Sequence, residues 1–159
     1  MKIPFTATEA RRTVELLASR PLVRLVTEID DNGAIPPRRL AGTLPDLSAH
    51  QLRSAVDTAR AHSLVRIAPG TGLELTETGE ELADLYDAMA RWARRRALPA
   101  TVCDFNSRIQ CVLDLLAPSL TTEHTNSSDE DLGRIRTLLI QWLANTPRTA
   151  EVFEPELAA

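Results

Sequence analysis

Lysine is nearly missing from this chain of 159 residues: among its 18 basic residues only Lys2 is not arginine, a bias from which we read no function. Cysteine is scarce as well. Cys103 and Cys111 are too few for a disulfide framework. At 1.5 Å per residue they sit about 12 Å apart on one expected helix. That is too far for a bond between them, so core packing is their expected role, with a bridge between subunits as the alternative. No apolar run approaches the ~18 residues of a membrane span, which excludes a helical membrane protein. The start, MKIPFTATEARR, lacks the apolar stretch of a secretory signal, so a reducing cytoplasm is the expected location. His50, His62 and His124 are widely separated without metal-ligand spacing, and no metal is expected. There is no glycine-rich phosphate loop, no G-x-S-x-G and no H-E-x-x-H, and the carboxylates of 77–87 have no partnered acid or base. Neither an enzyme nor a cofactor is expected.

What remains is an ordinary globular composition, 43% apolar and 25% charged, in a length that suits one domain or a small domain with an appendage. The net charge of −4 does not announce a nucleic-acid binder, yet the charge is unevenly spread. Residues 36–68 hold five basic groups (Arg38, Arg39, Arg53, Arg60, Arg66) against Asp46 and Asp57, whereas 97–159 hold four against nine acids. A basic stretch in an acidic chain fits either a solvated face or a localised anionic partner.

The pattern is mainly α. Thr6-x-x-Glu9 is a capping box opening a helix from about Thr8 to Ser19. Pro21 suits the first turn of a second helix, with Leu22, Leu25, Val26 and Ile29 as its stripe, ended at Asp30-Asp31-Asn32-Gly33. Pro36-Pro37 open a short helix, Arg38 to Leu44. Ser48-x-x-Gln51 caps a helix to about His62. Two short alternating strands follow, Leu64–Ala68 and Leu73–Thr76, joined by Pro69-Gly-Thr-Gly72. A long helix spans about Glu77 to Arg96, with Leu82, Leu85, Tyr86, Met89 and Trp92 as its stripe. Thr101-x-x-Asp104 opens a helix that ends at Pro118. The polar segment from Ser119 to Leu132 reads as a loop, Ser128 caps the last helix, and the acidic tail from Pro147 is expected to be loose.

A short helix, a tight turn, a longer helix and then a two-stranded ribbon is the order of a winged helix-turn-helix, in which a helix enters the DNA major groove while the wing meets the neighbouring backbone. On a wheel, Leu52, Ala55, Val56 and Ala59 face a core. His50, Arg53, Ser54, Asp57 and Ala61 lie opposite, with Gln51 and Thr58 at the margin. Arg53 can pair with guanine and Gln51 with adenine; His50, Ser54 and Thr58 can reach base or phosphate, and the amides after Ser48 can meet a phosphate. Arg38, Arg39 and Arg66 can hold phosphates, and Thr71 is the one polar side chain of a wing tip without a cation. Asp57 opposes deep insertion. Double-stranded DNA is thus the expected partner. The alternative is a protein-interaction or ligand-sequestering module that keeps the shape but no longer binds DNA.

The stretch from Pro36 to Ala93 resembles the winged-helix regulators of the HxlR type and, more loosely, the MarR type. The matching parts are Arg38-Arg39-Leu40, Leu44-Pro45, Leu47-Ser48 with Leu52, Leu64-Val65, and Leu75-Thr76-Glu77-Thr78-Gly79. The resemblance covers about residues 10–95. It implies a homodimeric transcriptional regulator whose two recognition helices read a pseudo-palindrome. Residues 1–76 are the expected DNA-binding domain and 77–146 the expected helical dimerisation region, although residues 97–159 extend beyond the usual end of such proteins. The cysteine that such proteins carry ahead of the second helix is replaced by Ser19-Arg20-Pro21, which removes a redox switch from the expectation. The stripes of 102–116 and 132–142 either pack on their own chain or enlarge a dimer interface. Met89, Trp92, Phe105 and Trp142 either belong to the core or line a pocket for a small-molecule effector.

Overall fold

The structure, a computed structural model, describes residues 6–98, 104–121 and 129–146. It is mainly helical with one two-stranded antiparallel sheet. Helix α1 spans Ala7–Leu17, capped as expected by the Thr6 hydroxyl, which accepts the Glu9 amide at 3.1 Å. Helix α2 spans Arg20–Asn32 with Pro21 in its first turn. Pro21 has no amide proton to offer the Leu17 carbonyl four residues back. The buried Tyr86 hydroxyl supplies that bond instead, at 2.6 Å.

A 3₁₀ turn, Pro37–Arg39, runs into the short helix α3, Leu40–Thr43. Helix α4, Ala49–Ala61, follows, with its capping box complete: the Ser48 hydroxyl accepts the Gln51 amide and the Gln51 side-chain oxygen accepts the Ser48 amide. The link between α3 and α4 is pinned from both sides. Leu44 and Leu47 are buried in the core. On the surface, Asp46 accepts two hydrogen bonds from Arg24, at 2.9 and 3.0 Å, and one from Arg20 at 3.1 Å. The bonds from Arg24 hold the Asp46 carboxyl down to about 2.

Strands β1 (Val65–Ala68) and β2 (Gly72–Leu75) pair with Val65 opposite Leu75 and Arg66 opposite Glu74. Ile35 bridges to Leu73 through two backbone bonds, so the segment before α3 closes over β2. Gly72, at φ +111°, is what lets it pass, since a Cβ there would stand 2.5 Å from the Ile35 oxygen.

Helix α5, Glu77–Arg95, is opened by Thr76. Its hydroxyl accepts the Gly79 amide and donates to the Ser63 carbonyl at the end of α4. All five residues of the expected stripe of α5 are buried. Helices α6 (Phe105–Leu116) and α7 (Glu130–Asn145) pack against it. Their caps differ from the expected ones: Asp104 caps α6 and Asp129 caps α7, while Thr101 and Ser128 lie outside the described residues. Ser119–Thr121 is not loop but the end of a 3₁₀ turn, Ala117–Thr121, with Leu120 fully buried. The tail 147–159, Cys103 and His124 also lie outside the described residues. Cys111 is half-buried rather than a core residue.

One apolar cluster joins every helix except α3, from Ala10 of α1 to Trp142 of α7. The expected dimer stripes of 102–116 and 132–142 are used here: Ile109, Val112 and Leu116 of α6, and Ile135, Leu139 and Trp142 of α7, are buried within the single chain. Leu115 and Leu138 remain as exposed apolar side chains on these two helices. Among the described residues no helix is long and apolar enough to cross a membrane.

Candidate nucleic-acid interface

Helix α4 packs on α2 through Leu52, Ala55 and Ala59, all buried, with Val56 half-buried beside them. Burying a leucine side chain contributes about 1.5–3 kcal/mol, so this stripe fixes how the helix is rolled. The opposite face is thereby turned to solvent: His50, Arg53, Ser54, Asp57 and Ala61 are all exposed. Small Ser54 and Ala61 leave the middle of this face shallow.

Three sequence-based expectations need adjustment. Gln51 is half-buried and its side-chain oxygen is committed to the Ser48 amide, so only its amide NH₂ remains for a base. The Ser48 hydroxyl is likewise occupied as a cap. Arg66 is exposed but ion-paired across the sheet to Glu74 at 2.8 Å, so that bond competes with a phosphate. Thr58 is half-buried at the margin of the face, as placed on the wheel. Thr71 is exposed at the strand turn and its hydroxyl donates to the Ala68 carbonyl at 3.3 Å.

Arg38 and Arg39 are exposed on the 3₁₀ turn ahead of α3. They form no ion pair with any described residue, and neither do Arg53 and Arg60. Arg60 was not singled out for this face. It follows Arg53 by seven residues, two helical turns, and so shares its stripe. The heptad spacing was the signal that could have found it. By contrast Arg20 and Arg24 are engaged by Asp46, and Arg96 by Asp129. The uncompensated cations of the first half of the chain therefore include the four beside and on α4.

Acidic groups gather instead where the end of α2, with Asp30 and Asp31, faces Glu80, Asp84 and Asp87 of α5. Burial, followed by the negative field of Asp31, Asp84 and Glu80, holds the Asp30 carboxyl above its ordinary value. Burial and then Asp30 do the same at Asp87.

Met89, Trp92 and Trp142 are buried members of the core, and Phe105 is half-buried against it. Trp92 donates its indole N–H to Asp129 at 3.2 Å and lies under the Arg96 guanidinium, 5.0 Å from its centroid. Trp142 donates to the Thr78 carbonyl at 2.9 Å. The four do not line one described cavity: Trp142 borders a groove between α5 and α7 without the other three. Among the described residues no group of three or more His, Cys, Asp or Glu is placed to hold a metal ion.

Comparison with protein-family models, with curated proteins and with solved structures returned no match, so the family resemblance rests on the residues quoted for it.

Proposed function

We propose that the chain is a DNA-binding transcriptional regulator of the winged helix-turn-helix type that acts as a homodimer. In this reading α3 and α4 are the helix-turn-helix, α4 is the recognition helix, and β1 with β2 is the wing. The supporting observation is the two-sided character of α4. One side is locked on α2 by Leu52, Ala55 and Ala59, and the other exposes His50, Arg53, Ser54 and Asp57, with Arg60 on the Arg53 stripe. A rigid helix with a shallow polar face and unpaired arginines suits the major groove, where an arginine can give two bonds to a guanine. Arg38 and Arg39 then hold phosphate and set register. The ion pairs of Asp46 with Arg20 and Arg24 tie the α3–α4 link to α2, which supports a fixed placement of α4 for groove entry.

Fluorescence anisotropy of labelled duplex DNA, repeated at several salt concentrations, tests this. Binding is expected to weaken linearly on a log–log plot against salt, and Arg38→Ala with Arg39→Ala is expected to flatten the slope by about 0.9 per phosphate contact removed. Absence of binding at low salt overturns the proposal.

A second reading is supported by the wing. Arg66 is paired with Glu74, the turn 69–71 has no cation, and Ile67 is 53% exposed. A wing without net charge that exposes Ile67, together with Asp57 on α4, suits a protein partner in place of DNA. That reading predicts no salt-dependent DNA binding, so the same titration separates the two.

A further inference from the structure

Helices α5 and α7 do not close completely along their seam. They leave a groove of about 220 Å³. Glu81, Asp84 and Leu85 line it from α5, and Leu138, Gln141, Trp142 and Asn145 from α7. The spacings are i, i+3, i+4 on both helices, so one stripe of each faces the gap. Its floor is apolar: Leu85 and Trp142 are buried, and Trp142 is held by its bond to Thr78. Leu138 forms an apolar wall that is 50% exposed. Its rim is anionic, and Glu81 and Asp84 form no ion pair with any described residue. Asp84 also belongs to a wider negative field with Asp30, Asp31 and Asp87, in which Arg91 is the cation acting on Asp87.

We propose that this groove binds a small organic cation with an apolar body, such as an arylalkyl amine. The body would displace water from Leu85, Leu138 and Trp142 while the ammonium meets Glu81 and Asp84. An anion would be repelled, and a neutral apolar molecule would leave two carboxylates uncompensated beside it. A bare metal ion finds no suitable ligand group among the described residues. A second copy of the chain packed two-fold across this face would bring the acidic rim against itself, because an isologous interface apposes the same patch. The proposal does not depend on the DNA reading.

The test is calorimetric titration of the full chain with 2-phenylethylammonium, with 2-phenylethanol and phenylacetate as neutral and anionic probes of similar size. The ammonium is expected to bind about tenfold more tightly than the alcohol, the order two partly exposed ion pairs supply together. Phenylacetate is expected not to bind. The double variant Glu81→Gln, Asp84→Asn changes two exposed side chains and should keep the wild-type circular dichroism while losing the preference. Leu138→Ala should weaken both ammonium and alcohol. Equal binding of ammonium and alcohol, undiminished binding in the double variant, or no saturable heat with any probe overturns the proposal. So does a dimer that Leu138→Glu dissociates while neither form binds the ammonium, which would assign the groove to a second copy.

Discussion

Replacing Gly79 by alanine should destabilise the protein, although the same change in an open helix stabilises. Alanine is favoured over glycine inside a helix by about 1 kcal/mol. At Gly79 the added Cβ would stand 2.1 Å from the Leu64 carbonyl oxygen, 3.0 Å from its carbon and 3.1 Å from Leu75 Cδ2. That carbonyl cannot simply withdraw, because it accepts the Thr76 amide at 2.9 Å and lies where α4 passes into β1. Helix α5 must therefore move off by more than an ångström, and overpacking of this kind costs about 1–3 kcal/mol, or more against backbone. The Thr76–Ser63 bond that joins the ends of α4 and α5 would be strained in the same movement. The net expectation is a loss of up to about 2 kcal/mol, toward the upper end because the clash is with backbone. Gly133 in α7 is the internal control, since its Cβ would meet nothing within 4 Å. Gly133→Ala should stabilise by about 0.5–1 kcal/mol. Urea unfolding followed by far-ultraviolet circular dichroism reads both as opposite shifts in midpoint at constant slope. If Gly79→Ala raises the midpoint as Gly133→Ala does, the close approach of α5 to Leu64 is wrong.

Three further outcomes follow from the packing. Tyr86→Phe should cost about 1–3 kcal/mol in urea unfolding, because Pro21 cannot replace the hydroxyl at the Leu17 carbonyl; a neutral effect would mean that this carbonyl finds another donor. Ser48→Ala should cost about 1 kcal/mol and fray the start of α4, visible as faster amide exchange at Gln51; unchanged exchange would refute the cap. For Asp46 the fold lowers the carboxyl from 3.8 to about 2, so its contribution is present above the unfolded value and disappears as pH falls through the folded one. The stability gap between wild type and Asp46→Asn should therefore be constant above about pH 5 and close between about pH 4 and 2. A gap that persists at the acid end would show that the ion pairs with Arg24 and Arg20 are not its origin.

The parts of the fold legible in the sequence were those decided locally. Thr6, Ser48 and Thr76 each sit three residues before the amide they cap, and each opens a helix as that spacing implies. The stripe of α5 is likewise a matter of period alone. What stayed hidden depends on distant partners. Asp129 caps α7 and also takes hydrogen bonds from Trp92 and Arg96, more than thirty residues away. No spacing rule ranks it above Ser128. Leu120 sits in a polar stretch that looks like loop, yet the packing of its 3₁₀ turn against α1 buries it. At the candidate interface the wheel placed His50, Arg53, Ser54 and Asp57 correctly on the exposed side. The capping-box spacing Ser48-x-x-Gln51 already marked Gln51 as spent on its own cap, but nothing local revealed that Arg66 is paired with Glu74, which depends on side-chain rotamers across the sheet.

Selection of bound sequences from a random duplex library, by the wild type and by Arg53→Ala, Arg60→Ala in parallel, addresses the groove-reading role of α4 most directly. The wild type should enrich a two-fold symmetric site whose half-sites lie one helical turn apart, about 34 Å, or a multiple of it. The double variant should lose that enrichment while keeping its fold. No enrichment by the wild type, or the same site enriched by both proteins, would contradict it.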